Sequence, residues 1–312
     1  MVRVRVPATT ANLGPGFDCL GMAVELFNYI QIGYCEKPGV SVETVPADDS
    51  GLFDPATLDD LSSVPQDERN LVYKAAARLL TMAGKPATAL QLRVEIGAPL
   101  ARGLGSSASA IAGGLFAANE LAGRPLSMND LVREATAMEG HPDNVVPCLV
   151  GGLTSSLCLG SQVLVERREP AANVRCVFFI PDYQLETATA RGVMPSRISM
   201  ADAVFNASRI PFVLSRMASG DLTDLDQIMD DRLHQPYRIP LVKGYEAVQV
   251  AAMEAGAAAV CISGAGPTIL AVCREDTAAS VARAGLAALK EIGIGAITRV
   301  VRPDANGCQI IG

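Results

Sequence analysis

The sequence predicts a protein of mixed strands and helices in two closely packed halves, and three observations carry that prediction. Residues 2–6 and 90–96 alternate apolar and polar side chains, the period of a strand with one buried face. Val72, Ala75, Ala76, Leu79 and Leu80 recur at helical spacing. Hydrophobic residues make up 49% of the 312-residue chain, enough for a sizeable core, and no Pro/Gly/Ser-rich linker divides it.

The elements follow in order. A strand over 2–6 is followed by another over about 24–35, carried by Tyr29-Ile30-Gln31-Ile32. Residues 46–68, rich in Asp, Pro and Ser, read as a surface excursion. Asn70 is a natural cap for a helix starting at Leu71. The strand over 90–96 leads into a glycine-rich loop and a small-residue helix from about Ser107 to Leu121, stopped by Gly123 and Pro125. A further helix covers Met128 to Glu139, and a strand covers Gly151 to Leu157. Beyond about residue 160 the pattern predicts strands near 174–180, 259–263 and 268–273. Helices are expected near 200–218, 243–255 and 276–292, with the active site in the cleft between the halves.

Composition excludes several classes of function. The formal net charge is −7 and no basic cluster is present, which argues against a nucleic-acid partner. The N-terminus lacks the layout of a signal peptide, and no apolar run is long enough to span a bilayer, so a cytoplasmic protein is expected. The eight cysteines include no Cys-x-x-Cys pair and read as small buried hydrophobes kept reduced.

Five segments have the residue types that chemistry needs. In Pro99-Leu100-Ala101-Arg102-Gly103-Leu104-Gly105-Ser106-Ser107-Ala108-Ser109, two glycines let a phosphate approach the main chain. The free N–H groups of the following helix then form an anion site. The string is neither a Walker A loop nor a dinucleotide fingerprint. Pro7 to Asp18 holds Asn12 and Asp18 at the end of a strand. Alone it fits an ordinary Pro/Gly turn, but Asp18 also suits an ammonium group. Glu139-Gly140-His141-Pro142-Asp143-Asn144 gathers ionisable groups between a helix and a strand, and a carboxylate there suits Mg²⁺. Cys261 to Leu270 is a glycine-rich turn that a tight hairpin explains equally well. Asp231 to Arg238 reads by default as a solvated helix end.

Together these strings resemble the GHMP small-molecule kinases. The N-terminal turn, the Gly-Leu-Gly-Ser-Ser-Ala loop and the Ser-Gly-Ala-Gly-Pro-Thr turn occur in the family's order, over nearly the whole chain. Pro7–Asp18, Glu139–Asn144 and Asp231–Arg238 resemble the homoserine kinase branch more narrowly. The resemblance implies an α+β two-domain fold, with residues 1–158 an ATP-binding unit like ribosomal protein S5 domain 2 and residues 159–312 ferredoxin-like. It implies transfer of the γ-phosphoryl group of ATP to the hydroxyl of L-homoserine, with Mg²⁺ required, on the route to threonine. A homodimer is compatible with it.

Residue by residue, the resemblance places Ser107 and Glu139 at the metal. Pro99, Arg102, Gly103, Leu104, Gly105, Ser106, Ser107, Ala108 and Ser109 would lie around the phosphates, and Asn70 near the adenine. Asn12, Asp18, His141, Arg191, Arg238 and Gly264 match substrate positions, and Thr187 lies near the phosphoryl acceptor. The segment Leu185–Arg191 lacks the lysine usual in the branch. Where mevalonate- and galactokinase-like members carry a catalytic aspartate, the matching position is Asn144. This implies catalysis without a protein base, with Asn144, Thr187 and Arg191 around the reacting groups. The alternatives are another kinase of the family acting on a different small alcohol, or a non-catalytic regulator on the same fold.

Overall fold

The computed structural model describes residues 1–36, 39–47, 61 and 64–311. Its first sheet is built on a long hairpin. β1 (Val2–Ala11) pairs antiparallel with β2 (Leu20–Tyr34), and the register shifts between Pro7 and Ala8. β3 (Gly39–Pro46) runs parallel to β4 (Ala89–Ile96), which pairs with β2. β5 (Leu153–Leu159) joins the other end of β2 and forms a hairpin with β6 (Gln162–Arg168).

Four helices cover this sheet: α1 (Leu71–Met82), α2 (Ser106–Leu121), α3 (Met128–Glu139) and α4 (Pro142–Val150). Val4, Val6, Ile30, Leu90 and Leu92 from the strands pack with Val72, Leu79, Ile111 and Leu115 from the helices. The glycines of α2 make this close. A Cβ on Gly113 would lie 2.4 Å from Ile30 Cδ1, and one on Gly114 would lie 2.5 Å from Val72 O. As expected, Asn70 caps α1, with its side chain accepting from the Val72 N–H.

The second sheet contains β7 (Val174–Pro181), β8 (Ala257–Ile262), β9 (Ile269–Arg274) and β10 (Ala296–Val301), in the spatial order β10-β7-β9-β8. That antiparallel order is the ferredoxin-like one. Between β7 and β8 run α5 (Thr187–Gly192), α6 (Met200–Ser219), α7 (Leu225–Ile228), α8 (Gln235–Arg238) and α9 (Tyr245–Glu254). α10 (Ala278–Glu291) links β9 to β10, and α9 and α10 share a core with one face of the sheet. The other face joins Leu13, Leu20 and Met22 of the first unit in a single buried cluster with Phe178, Val213, Cys261 and Leu270. The two halves are therefore fused through an apolar core.

Several expectations change. The division expected at 158/159 falls inside β5, because the β5–β6 hairpin continues the first sheet to Arg168; the chain changes sheet between Arg168 and Val174. The chain then returns, as β11 (Gln309–Ile310) pairs with β1. The surface excursion at 46–68 lies largely outside the described residues. The ionisable segment Glu139–Asn144, expected between a helix and a strand, runs instead into α4, with Pro142 at its first turn. None of the eight cysteines forms a disulfide. Cys148, Cys176, Cys261, Cys273 and Cys308 are buried as expected, but Cys158 is exposed on β5.

Candidate active site

The glycine loop is held by its neighbours on both sides. Gly105 precedes α2 at φ +69°, and no side chain caps the helix, so its first N–H groups remain available to an anion. A Cβ at Gly105 would lie 2.0 Å from Thr9 Oγ1. Gly103, at φ +76°, packs so closely on the turn after β8 that a Cβ would lie 2.3 Å from Ser263 O. Ser263 Oγ donates to Gly103 O at 2.6 Å. Ser106 Oγ closes the loop onto Pro99 O at 2.9 Å. Leu104 and Ala108 point into the core, and Leu104 O accepts from the Thr9 N–H.

Arg102 is tied to the backbone around it. It is 5% exposed, and its guanidinium donates to Pro181 O, Leu100 O and Asp182 O at 3.0, 3.0 and 3.1 Å. The carbonyls of Pro181 and Asp182 fasten the loop to the end of β7, so Arg102 helps to position it.

On one side of the loop opens an apolar cavity of about 270 Å³, lined by Ile30, Val64, Pro65, Asn70, Val72, Val94, Ile96 and Leu100. It suits a flat heteroaromatic base. Asn70 lines it, with its amide already bonded to Pro65 O and the Val72 N–H. Asn28 also lines it and escaped the sequence reading, because an asparagine inside a strand has no motif around it. Its side chain accepts from the Gly97 and Ala98 N–H groups and donates to Ser109 Oγ at 2.8 Å. Ser109 Oγ in turn bonds Ser106 O. The loop's serines are thus set by a buried network.

On the other side lies a polar cleft of about 280 Å³ between the two units. Ser106 and Ser107 line both spaces. The cleft brings together Asn12, Asp18, Glu139, His141, Asn144, Thr187, Arg191, Arg238 and Gly264, residues from five separate segments. Of the expected loop residues, Arg102, Gly103, Gly105, Ser106 and Ser107 reach it, whereas Pro99, Leu104, Ala108 and Ser109 do not.

The N-terminal turn reaches the cleft through an uncommon backbone, with Asn12, Leu13 and Asp18 all at positive φ (71°, 45° and 56°). Asn12 fixes it, donating to Gly264 O at 2.8 Å and accepting from the Asp18 N–H at 3.1 Å. Asp18 then forms a two-pronged pair with Arg191, at 2.7 and 3.0 Å. That hydrogen-bonded pairing is the main cause that pushes the Arg191 pKa up. Arg238, 2% exposed, donates to Ala190 O and Gly264 O. Burial and then the nearby Arg191 push its pKa down.

Across the cleft, Ser107 Oγ lies 2.5 Å from Glu139 Oε1, two hard oxygens at the mouth of the phosphate loop. His141 Nδ1 lies 2.5 Å from Asp143 Oδ1, and this bond is the largest cause raising the His141 pKa. Asn144 is locked at both ends, accepting from Thr9 Oγ1 at 2.8 Å and donating to Asp143 Oδ1 at 3.2 Å. Oxygen and nitrogen atoms of Asp18, His141 and Asp143 lie within 4.8 Å of one another. Each is already engaged, Asp18 by Arg191 and Asp143 by His141, so this group reads as a hydrogen-bonding set and not a metal centre.

The chain is similar to known proteins over its whole length. The GHMP kinases N terminal domain matches residues 70–152, and the GHMP kinases C terminal domain matches residues 213–291. The chain is 41% identical to the homoserine kinase of Moorella thermoacetica over 311 residues, covering 100% of both chains. It is 44% identical to that of Trichormus variabilis over 308 residues, covering 98% of this chain and 97% of the relative. The crystal structure of homoserine kinase from Cytophaga hutchinsonii superposes with a TM-score of 0.87 at 28% identity, covering 99% of this chain and 97% of that one. No described helix is long and apolar enough to cross a membrane.

Proposed function

We propose a substrate geometry and a mechanism from one premise: the chain belongs to the homoserine kinase family of the GHMP kinases, ATP-dependent phosphotransferases that act on a hydroxyl. Its substrates are ATP and L-homoserine, and its products ADP and O-phospho-L-homoserine. The observation that supports the acceptor is the Asp18–Arg191 pair with Arg238 beside it, across the cleft from the phosphate loop. A zwitterion inserted there exchanges one internal ion pair for two new ones. Its ammonium meets Asp18, and its carboxylate meets the two arginines through charge-assisted bonds. A sugar has neither charge.

Adenine occupies the apolar cavity beside Asn70, and the phosphates lie along Gly103–Ser107 at the start of α2. The adjacent oxygens of Ser107 and Glu139 fit a Mg²⁺ ion, a hard cation that prefers oxygen ligands. When bound, it would neutralise charge on the phosphates. The homoserine hydroxyl, near Thr187, attacks the γ-phosphorus as the bond to ADP breaks, and its proton passes to a phosphate oxygen. Asn144 cannot take that proton, and its amide is committed to Thr9 and Asp143. Positioning and charge stabilisation account for most of the rate in such transfers.

We place the enzyme in the cytoplasm, where ATP is supplied and its thiols stay reduced. The deciding experiment is homoserine-dependent ADP formation with and without Mg²⁺, against threonine and mevalonate. Turnover is expected only with Mg²⁺ and chiefly with homoserine. Equal turnover of threonine or mevalonate would defeat the assignment of the cleft to homoserine.

A further inference from the structure

The two arginines of the cleft share an aromatic neighbour. Phe17 stands between Gly16 and Asp18 and does not line the cleft itself. The guanidinium carbons of Arg238 and Arg191 lie over its ring, at 5.0 and 5.7 Å from the centroid. His234 stacks on the same ring, 5.3 Å between centroids with the planes 26° apart.

The support behind the ring is buried and well bonded. His234 is fully buried, and its Nε2 donates to Gly14 O at 2.8 Å. The Asp231 carboxylate accepts from the N–H groups of Leu233, His234 and Gln235 at 2.9, 2.9 and 2.6 Å. Asn206 ties the same carboxylate to the N-terminal turn, donating to Asp231 Oδ1 at 2.6 Å and Pro15 O at 3.0 Å.

The charges show what the ring is for. Both Asp18 oxygens accept from Arg191. Arg238 makes no ion pair among the described residues, and the contacts of its Nε and Nη1 are to neutral carbonyls. Asp18, Asp143 and Asp231 supply part of the negative potential that a buried cation beside a second cation needs, and an aromatic face adds to it without competing for a substrate carboxylate.

We infer that Phe17 is a positioning residue for the acceptor's carboxylate: its ring holds the guanidinium groups of Arg238 and Arg191 side by side. The inference rests on reading the cleft as an amino acid seat. It is tested with Phe17→Leu, which keeps apolar bulk but removes the π face, and Phe17→Tyr, which keeps the face. Phe17→Met replaces the leucine variant if that does not fold. The acceptors are L-homoserine and 3-aminopropan-1-ol, which has the hydroxyl and ammonium but no carboxylate.

In Phe17→Leu the KM for homoserine is expected to rise about tenfold while that for ATP moves less than about twofold. The preference for homoserine over the amino alcohol should narrow by the same factor, and Phe17→Tyr should restore it. An unchanged preference in Phe17→Leu overturns the inference. So does an equal loss for ATP and both acceptors, which signals general loosening. If the wild type itself fails to prefer homoserine, the premise of the amino acid seat falls and the inference goes with it.

Discussion

The phosphate loop and the acceptor cleft meet at Ser106 and Ser107 but are built in opposite ways. The loop is one contiguous segment, and the working groups proposed for it are backbone N–H donors at the start of α2. Its side chains mostly hold it in place: Arg102 to the carbonyls after β7, Ser106 to Pro99, and Leu104 in the core. The cleft is assembled from both units, and the working groups proposed for it are charged side chains. A backbone site is sensitive to the space around its glycines. A side-chain site is sensitive to charge and to whatever holds each charge in place.

This contrast gives two predictions. The larger effect is expected for Gly105→Ala. The new Cβ would lie 2.0 Å from Thr9 Oγ1 and 3.1 Å from Asn144 Oδ1, at a φ of +69° that side chains avoid. Left-handed strain and overpacking together cost about 3 kcal/mol. Turnover should drop by about a thousandfold because the helix start no longer meets the phosphates, with a lowered Tm. A variant with wild-type activity would break the backbone-cradle half of the comparison. Next comes Asp18→Asn, which keeps the shape but leaves Arg191 without its partner. Here kcat/KM for homoserine should fall about a hundredfold with little change in the KM for ATP, because the pair is only partly exposed. A matching loss for ATP would show that the two regions are not separable.

The same contrast explains what the sequence could reveal. The loop was legible because contiguous glycines and small residues between a strand and a helix leave few physical alternatives. The α1 helix was equally plain, since its apolar spacing and the Asn70 cap agree. Residues of the cleft were identified mainly by resemblance, because Asp18 and Arg191 are 173 positions apart and nothing local links them. Asn28 gave no signal, being a buried strand residue whose partners lie at Gly97 and Ser109. The carbonyl contacts of Arg102 were not legible either, because Pro181 and Asp182 lie about 80 positions away. The α4 helix was hidden by Pro147 within it, although Pro142 at its start is a helix signal. β6 was missed because its pattern is mostly exposed, so burial sets little periodicity.

The smallest predicted effect concerns the brace behind the cleft, and it is one of pH. Burial pushes the His234 pKa below its ordinary 6.5, against the opposing pull of Asp231, Gly14 O and Asp18 and with help from Arg238. The native state therefore holds the neutral imidazole. Above pH 6.5 neither the folded nor the unfolded chain binds this proton, and the contribution to stability is fully present. Below it the unfolded chain takes up the proton first. Stability falls, by at most about 1.4 kcal/mol for each pH unit, until the folded pKa is reached. His234→Gln keeps a donor for Gly14 O but does not titrate. Its Tm should be lower at pH 8 through lost packing on Phe17 and should fall less steeply than the wild type's between pH 6.5 and 5. Parallel Tm curves across that window would mean that His234 takes up its proton as readily in the fold as in the unfolded chain. Three cations would then surround one ring, and the cleft's charge balance would have to rest on Asp18, Asp143 and Asp231 instead.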